Sequence, residues 1–181
     1  MRGAFLLARG RTDGVLLMDT SPAGAALSFW AAALCLPGFL ALRLLAWAET
    51  GGPSLGLGRG LTAELLGYAC SWAGFALASL PLAEAAGRRS EWPQFIAAWN
   101  WANVVQYLVL LALTVPALFG LPPLLAHGLG LAALGYALWF EWFVAKAALR
   151  IGGGRAVAFV LLDLLLGMFI GGLVGRLTIA S

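Results

Sequence analysis

Two carboxylates interrupt long apolar runs of the sequence, and they are the residues best suited to chemistry. Glu141 is the only charged residue in the run 139–143 (WFEWF), and Asp163 is the only one in the run 161–165 (LLDLL). An ionisable group in hydrocarbon costs at least about 2.5–3.5 kcal/mol by insertion scales, so such groups are rare without a role. The chemistry available to them is the binding of a proton or a cation.

Three amide side chains recur at a fixed spacing in an earlier apolar run. Asn100, Asn103 and Gln106 are three residues apart. On a helix this spacing places them along one face, where they form a polar stripe. The stripe predicts that this helix presents hydrogen-bonding groups to its neighbours.

The carboxylates and the amides are predicted to lie at one level. Glu141 is eight residues before the end of its apolar run, and Asp163 is seven residues after the start of the next one. At 1.5 Å per residue, both lie about 11–12 Å from the same end of a helical hairpin. Asn103 reaches the same level in its own run. We therefore predict one polar cluster, which comprises Asn100, Asn103, Gln106, Glu141, Asp163 and, nearer the helix end, Lys146.

Two interpretations of this cluster are open. Two neighbouring carboxylates at low dielectric do not both ionise, so a shared proton would suit a proton or cation site in a small transporter. Alternatively, the side chains are structural and join three helices at about 0.6 kcal/mol per hydrogen bond. Transporters usually contain repeated halves, and the sequence has no internal repeat, which favours the structural interpretation.

The composition indicates which elements position these residues. Hydrophobic residues make up 62% of the 181 residues and charged residues only 10%, against about 45–50% and 25% in soluble chains. This composition excludes a water-soluble enzyme. Eleven basic and eight acidic residues give a net charge of +3, which does not indicate nucleic-acid binding. The lipid bilayer is the predicted environment.

Five continuous apolar runs are each long enough to cross a bilayer as a helix. The predicted fold is all-α, a polytopic membrane protein with a bundle of five transmembrane helices. Ser21 followed by Pro22 is typical of a helix start, and Pro37 and Pro116 are expected to bend the spans that contain them. The predicted spans are Ala25 to Ala48, Ala63 to Ala83, Phe95 to Phe119, Leu124 to Leu149 and Ala156 to Leu177.

Residues 1–20 precede the spans and combine apolar side chains with three arginines. We predict a short helix lying on the membrane surface, with a frayed polar tail as the alternative. Residues 21–181 are predicted to form a single five-helix transmembrane domain.

The basic residues are distributed unevenly over the connections. With five spans, eight of the eleven fall on the side of the N-terminus and three, Arg43, Arg59 and Arg176, on the other. By the positive-inside rule the N-terminus is predicted to be cytoplasmic and the C-terminus periplasmic. Arg43, inside the first span, is expected to extend outward towards Glu49 as a structural anchor.

Small residues line one face of the last span. Gly167, Gly171 and Gly175 are four residues apart, a spacing that lets another helix approach closely. We call them the glycine seam. The partner is either a helix of the same chain or, in a homo-oligomer, a second copy.

The signatures of common membrane enzymes are missing from the sequence. It contains neither a His-Glu-x-x-His zinc pair nor a Gly-x-Ser-x-Gly serine elbow, and its single histidine, His127, has no second ligand at metal-binding spacing. We therefore predict no catalytic residues, no metal site and no cofactor.

The last hairpin resembles that of a known family. The stretch 145–149 (AKAAL), the turn 151–153 (IGG) and the run 160–167 (VLLDLLLG) are similar to the Yip (Ypt-interacting protein) domain superfamily in its compact bacterial form. The eukaryotic acidic Tyr-Gly-Pro motif is absent, so GTPase binding is not carried over. The resemblance implies a non-enzymatic bacterial inner-membrane protein, a scaffold or accessory subunit that associates with other membrane subunits or with itself. The alternative function is a small proton- or ion-coupled transporter that uses Glu141 and Asp163.

Overall fold

The computed structural model describes residues 1–54 and 56–178, without the side chains of residues 117 and 118. Within those residues the chain is helical and has no strand. The α-helices are α1 (Arg2–Ala8), α2 (Pro22–Ser28), α3 (Trp30–Thr50), α4 (Leu57–Ala85), α5 (Trp92–Thr114), α6 (Pro123–Ala148) and α7 (Gly153–Thr178). Three 3₁₀ helices cover Thr12–Leu17, Arg89–Glu91 and Val115–Phe119.

Five helical segments are long and apolar enough to cross a membrane, which confirms the predicted fold class. They are Pro22–Thr50, Leu57–Ala85, Arg89–Thr114, Pro123–Ala148 and Gly153–Thr178. The first starts as predicted: Pro22 is in the first turn, and the Ser21 hydroxyl accepts a hydrogen bond from the backbone N–H of Gly24 at 3.0 Å. Residues 179–181 of the predicted domain lie outside the described residues.

Two spans differ from their prediction in detail. The first is interrupted at Phe29, where α2 gives way to α3. The third was predicted to remain one span to Phe119 with a bend at Pro116, but α5 ends at Thr114 and Pro116 lies in a 3₁₀ helix. Proline cannot donate the backbone hydrogen bond that an α-helix requires at that position. Pro37 does lie inside α3, and the bend expected there stays a prediction.

Helix α5 is the centre of the bundle. Of its most apolar window, 44% is buried inside the protein, against 11–22% for the other four spans. It packs against α2, α3 and α6, while α4 packs mainly against α7. Aromatic rings join these layers: Phe75 of α4 stacks on Trp99 at 4.1 Å between ring centroids, and Phe95 meets Phe159 of α7 edge-on at 5.2 Å. Side chains on α5 therefore face several neighbouring helices.

The N-terminal segment is folded onto the bundle. Its short helix α1 confirms the prediction of a helix rather than a frayed tail. Ala4 and Leu7 are fully buried in the same apolar core as the spans. Gln94 of α5 donates to the carbonyl of Val15 at 3.0 Å, and the Tyr136 hydroxyl of α6 donates to the carbonyl of Ala8 at 3.2 Å. Its place on a membrane surface and the boundary after residue 20 stay predictions.

The turn between α6 and α7 is tight and closed by hydrogen bonds. The backbone N–H of Ile151 bonds to the carbonyl of Lys146 at 3.2 Å, the longer bond of a Schellman motif. Arg150, at the position before Ile151, has a φ of +52°. The indole of Trp142 donates to the carbonyl of Gly153 at 2.9 Å and ties the turn to α6. This turn sets the register of the hairpin that carries Glu141 and Asp163.

Candidate intramembrane polar site

Asn100 connects α5 to the end of α2. Its side chain is 3% exposed, and its amide donates to the hydroxyl of Ser28 at 2.8 Å. That hydroxyl donates in turn to the carbonyl of Ala25 at 2.6 Å. The chain of bonds satisfies buried polar groups next to the interruption at Phe29, so this amide has a structural role.

Gln106 connects α5 to α6 and touches one of the two carboxylates. Its amide nitrogen donates to the carbonyl of Ala137 at 3.1 Å and to Oε1 of Glu141 at 3.2 Å. An amide nitrogen has two hydrogens, so both are used. Asn103, the middle residue of the stripe, donates to the carbonyl of Trp99 on its own helix at 3.1 Å. The stripe therefore reaches Glu141 through Gln106.

Glu141 has one satisfied oxygen and one unsatisfied oxygen. Its Oε2 is buried and has no hydrogen-bond partner among the residues that the structure describes. Asp163 lies on α7, which is in contact with α6. Glu141 is seven residues before the end of α6 and Asp163 is ten residues after the start of α7. The hairpin thus carries the two carboxylates that the sequence singled out on packed helices, about 10 Å and 15 Å from the turn.

Lys146 lies apart from these carboxylates. It is exposed, and its ammonium group lies over the ring of Trp142 at 4.9 Å from the ring centroid. Five residues along an α-helix correspond to a rotation of about 140° from Glu141. The lysine therefore faces another side of α6, where a cation–π contact holds it.

A first cavity, of about 250 Å³, lies between α3, α4, α5 and α7, and we call it the polar cavity. It contains polar groups from all four helices. Asp163 lines it, as do the first two amides of the stripe. The polar residues in its wall are Arg43, Glu64, Tyr68, Ser71, Asn100, Asn103, Tyr107 and Asp163.

A second cavity, of about 420 Å³, lies between α3, α5 and α6, and we call it the wide cavity. Glu141 and Gln106 line it together with mostly apolar and aromatic side chains. Four residues, Phe39, Arg43, Asn103 and Tyr107, line both cavities. The two cavities therefore adjoin, with Asp163 in the wall of one and Glu141 in the wall of the other.

Arg43 pairs with a residue other than the predicted one. Its Nη2 lies 2.9 Å from Oε2 of Glu64, which is 6% exposed, whereas we expected it to extend towards Glu49. Sequence reasoning missed Glu64, although a signal was present. Glu64 is an acidic residue inside an apolar run, seven residues from the start of α4, and Arg43 is seven residues from the end of α3. These positions predict the same level, about 10 Å from the helix ends.

The glycine seam is not filled by neighbouring side chains among the described residues. Gly167 and Gly171 are exposed and line the polar cavity. A Cβ built at Gly167, Gly171 or Gly175 would meet nothing within 4 Å. The close approach between α4 and α7 occurs instead at Gly67, where a Cβ would lie 2.6 Å from Cγ2 of Val174. Two partners were predicted for the seam. Among the described residues, no helix of the same chain packs against it, and a helix of a second copy stays a prediction.

Comparison with protein-family models, with curated proteins and with solved structures finds no significant match to this chain. The resemblance to the Yip domain superfamily therefore stays a prediction from the residues quoted above. The functional argument starts from the geometry of the two cavities and the groups that line them.

Proposed function

We propose that this chain is a small proton- or cation-coupled membrane transporter in which Glu141 and Asp163 bind the ion. The observation that carries the proposal is the unsatisfied Oε2 of Glu141. A purely structural carboxylate is expected to have both oxygens paired, because an unpaired buried acceptor costs about 1–3 kcal/mol. An ionised Glu141 needs a positive partner at this oxygen, and a protonated one needs an acceptor.

The polar cavity supplies a route from one side of the bundle towards these carboxylates. Asp163 is ten residues into α7, about 15 Å along its axis and thus near the middle of the span. From there polar side chains continue through Asn103 and Tyr107 to the pair of Arg43 and Glu64. That ion pair lies about 10 Å from the end of α3 and from the start of α4, on the side of the bundle opposite the turn between α6 and α7. Polar groups along this distance support entry of a small ion from that side.

The proposed location is the bacterial inner membrane, with the N-terminus in the cytoplasm and the C-terminus in the periplasm. The support is the excess of basic residues on one side of the five spans, eight against three. In this orientation the polar cavity reaches towards the periplasm. Glu141, seven residues from the end of α6, lies in the cytoplasmic half.

The proposal is tested by ion flux in liposomes. We expect reconstituted protein to dissipate a proton, sodium or potassium gradient faster than empty liposomes do. Asp163→Asn and Glu141→Gln keep the size of each side chain and should abolish that difference. Glu49→Gln removes an exposed carboxylate near the end of α3 and should leave the flux unchanged. Absence of flux above empty liposomes, or full flux in Asp163→Asn, would rule the proposal out.

A non-enzymatic scaffold of the Yip-like type is the second candidate, and the open glycine seam supports it. Gly171 and Gly175 would meet nothing within 4 Å if they carried a Cβ, so a helix of a second subunit could approach α7 there. A scaffold should migrate as a stable oligomer or with a fixed partner in detergent. Gly171→Leu should disrupt that assembly, whereas Gly74→Leu, at another open position on α4, should not. Purification of a monomer without a partner would exclude this candidate.

A further inference from the structure

The wide cavity differs from the polar cavity in the character of its walls. Apolar side chains of α3, α5 and α6 form most of its surface, among them Leu42, Leu110 and Leu134, and the ring of Phe39 also lines it. Its volume of about 420 Å³ is within the range of about 300–1,000 Å³ found for small-molecule sites. The size and the mostly apolar walls of this space therefore suit an organic molecule.

The ionisable side chain of the wide cavity that has no oppositely charged partner among the described residues is an acid. Arg43 lines the cavity, but its guanidinium is paired with Glu64 at 2.9 Å. Glu141 also lines the cavity, and its Oε2 has no partner among the described residues. Gln106 occupies only the other oxygen, Oε1. A molecule bound here would therefore lie beside a carboxyl group that Gln106 satisfies at one oxygen only.

Aromatic rings add a second feature that selects positive charge. Phe39, Tyr107 and Tyr136 line the wide cavity on three different helices. The face of an aromatic ring attracts cations, and the attraction strengthens where water is excluded. Rings and a carboxylate in one apolar space are complementary to a cation that carries its own apolar surface.

We infer that the wide cavity binds a lipophilic organic cation, with its positive centre beside the carboxyl group of Glu141 and its apolar body against Phe39, Tyr107 and Leu110. This inference rests on the proposed transport function and names the class of its substrate. The ion bound at Glu141 and Asp163 and the organic cation would compete for the same negative charge. Release of the ion would therefore allow the organic cation to bind, and release of the organic cation would allow the ion to bind. If both carry one positive charge, this exchange leaves the net charge at the site unchanged.

Equilibrium dialysis of the protein in detergent tests this inference with two probes of matched shape. Tetraphenylphosphonium is a cation, and tetraphenylborate is an anion of the same form. We expect saturable binding of the cation, weakened by at least about tenfold in Glu141→Gln, because the variant cannot supply the negative charge that pairs with the cation. The anion should bind far more weakly than the cation.

Two further variants locate the bound cation. Gly130 lines the wide cavity, and a Cβ there would meet nothing within 4 Å. Gly130→Leu should therefore fold and reduce binding by filling the space, with a single size-exclusion peak as the check on folding. Gly128→Leu, at an equally open position outside the cavity wall, should bind like the wild type.

The outcomes separate this inference from the proposed function. Equal binding of both probes, or wild-type binding in Glu141→Gln, would overturn the inference. Ion flux that depends on Asp163 without any binding of tetraphenylphosphonium would also overturn it and leave transport standing. Binding that depends on Glu141 in a protein without flux would support the cation site and reject transport.

Discussion

Arg43 and Glu64 form an ion pair between α3 and α4, with 2.9 Å between Nη2 and Oε2 and unequal exposure of the two side chains. The arginine side chain is 37% exposed and the glutamate side chain only 8%. The exposed partner can reach polar surroundings by itself, whereas the buried one depends on the pair. The two halves of this pair should therefore respond differently to mutation.

We predict that Arg43→Met destabilises the protein more than Glu64→Gln does. Removal of the arginine leaves a buried carboxylate unpaired, which costs about 3–5 kcal/mol. Removal of the glutamate charge leaves an arginine that can extend towards the membrane surface. The double variant should recover most of the loss. The measurement is the free energy of unfolding in detergent for all four proteins of the double-mutant cycle.

Arg59→Met is the control for this cycle, because Arg59 is exposed near the start of α4. It should change the free energy of unfolding little. A coupling energy near zero between Arg43 and Glu64 would show that the pair does not stabilise the contact between their helices.

Close packing of α4 and α7 depends on Gly67. A Cβ at this position would lie 2.6 Å from Cγ2 of Val174, so we predict that Gly67→Ala destabilises the protein by about 1–3 kcal/mol through overpacking. Gly74→Ala on the same helix meets nothing within 4 Å and should be neutral or stabilising by up to about 1 kcal/mol through helix propensity. Thermal unfolding in detergent measures both effects.

Shortening the side chain at position 174 provides a rescue test for the Gly67 prediction. The double variant Gly67→Ala with Val174→Ala should be more stable than Gly67→Ala alone, because the methyl group that causes the clash is removed. If Gly67→Ala and Gly74→Ala have the same effect, the contact does not limit the approach of the two helices.

The turn between α6 and α7 has a strained position at Arg150. Its φ of +52° lies in the left-handed region, where glycine has no steric cost and other residues lose about 1–2 kcal/mol. We predict that Arg150→Gly raises the unfolding temperature and that Arg150→Val lowers it. The measurement is thermal unfolding of both variants, with Arg155→Gly as the comparison inside α7. That variant should destabilise, because glycine is unfavourable within a helix, and a stabilising effect there would contradict this explanation.

The sequence was sufficient to predict the architecture and part of the site. The five spans could be predicted from the lengths of the continuous apolar runs, because these lengths do not depend on tertiary contacts. Counting residues from a shared turn predicted one level for Glu141 and Asp163, but α7 begins three residues earlier than predicted, so Asp163 lies deeper than Glu141. The same count placed Lys146 nearby, but the rotation of α6 turns it towards Trp142.

Other contacts could not be predicted because they depend on how the helices face each other. Gln94 has an ordinary position near the start of a span, and only the folded N-terminal segment gives it a partner in Val15. The glycine spacing of α7 predicted a packing face, yet the close approach uses Gly67 of α4. Spacing in one helix indicates that a partner can approach and leaves open which helix does so.

The attachment of the N-terminal segment has a consequence for the order in which the protein is made. Its partners Gln94 and Tyr136 lie 79 and 128 residues beyond the carbonyls that they bind. The N-terminal segment is synthesised before α5 and α6, so it has no docking partners until those helices exist. Docking of Ala4 and Leu7 is thus a late step of biogenesis, and a nascent chain arrested before Tyr136 keeps this apolar surface available to chaperones.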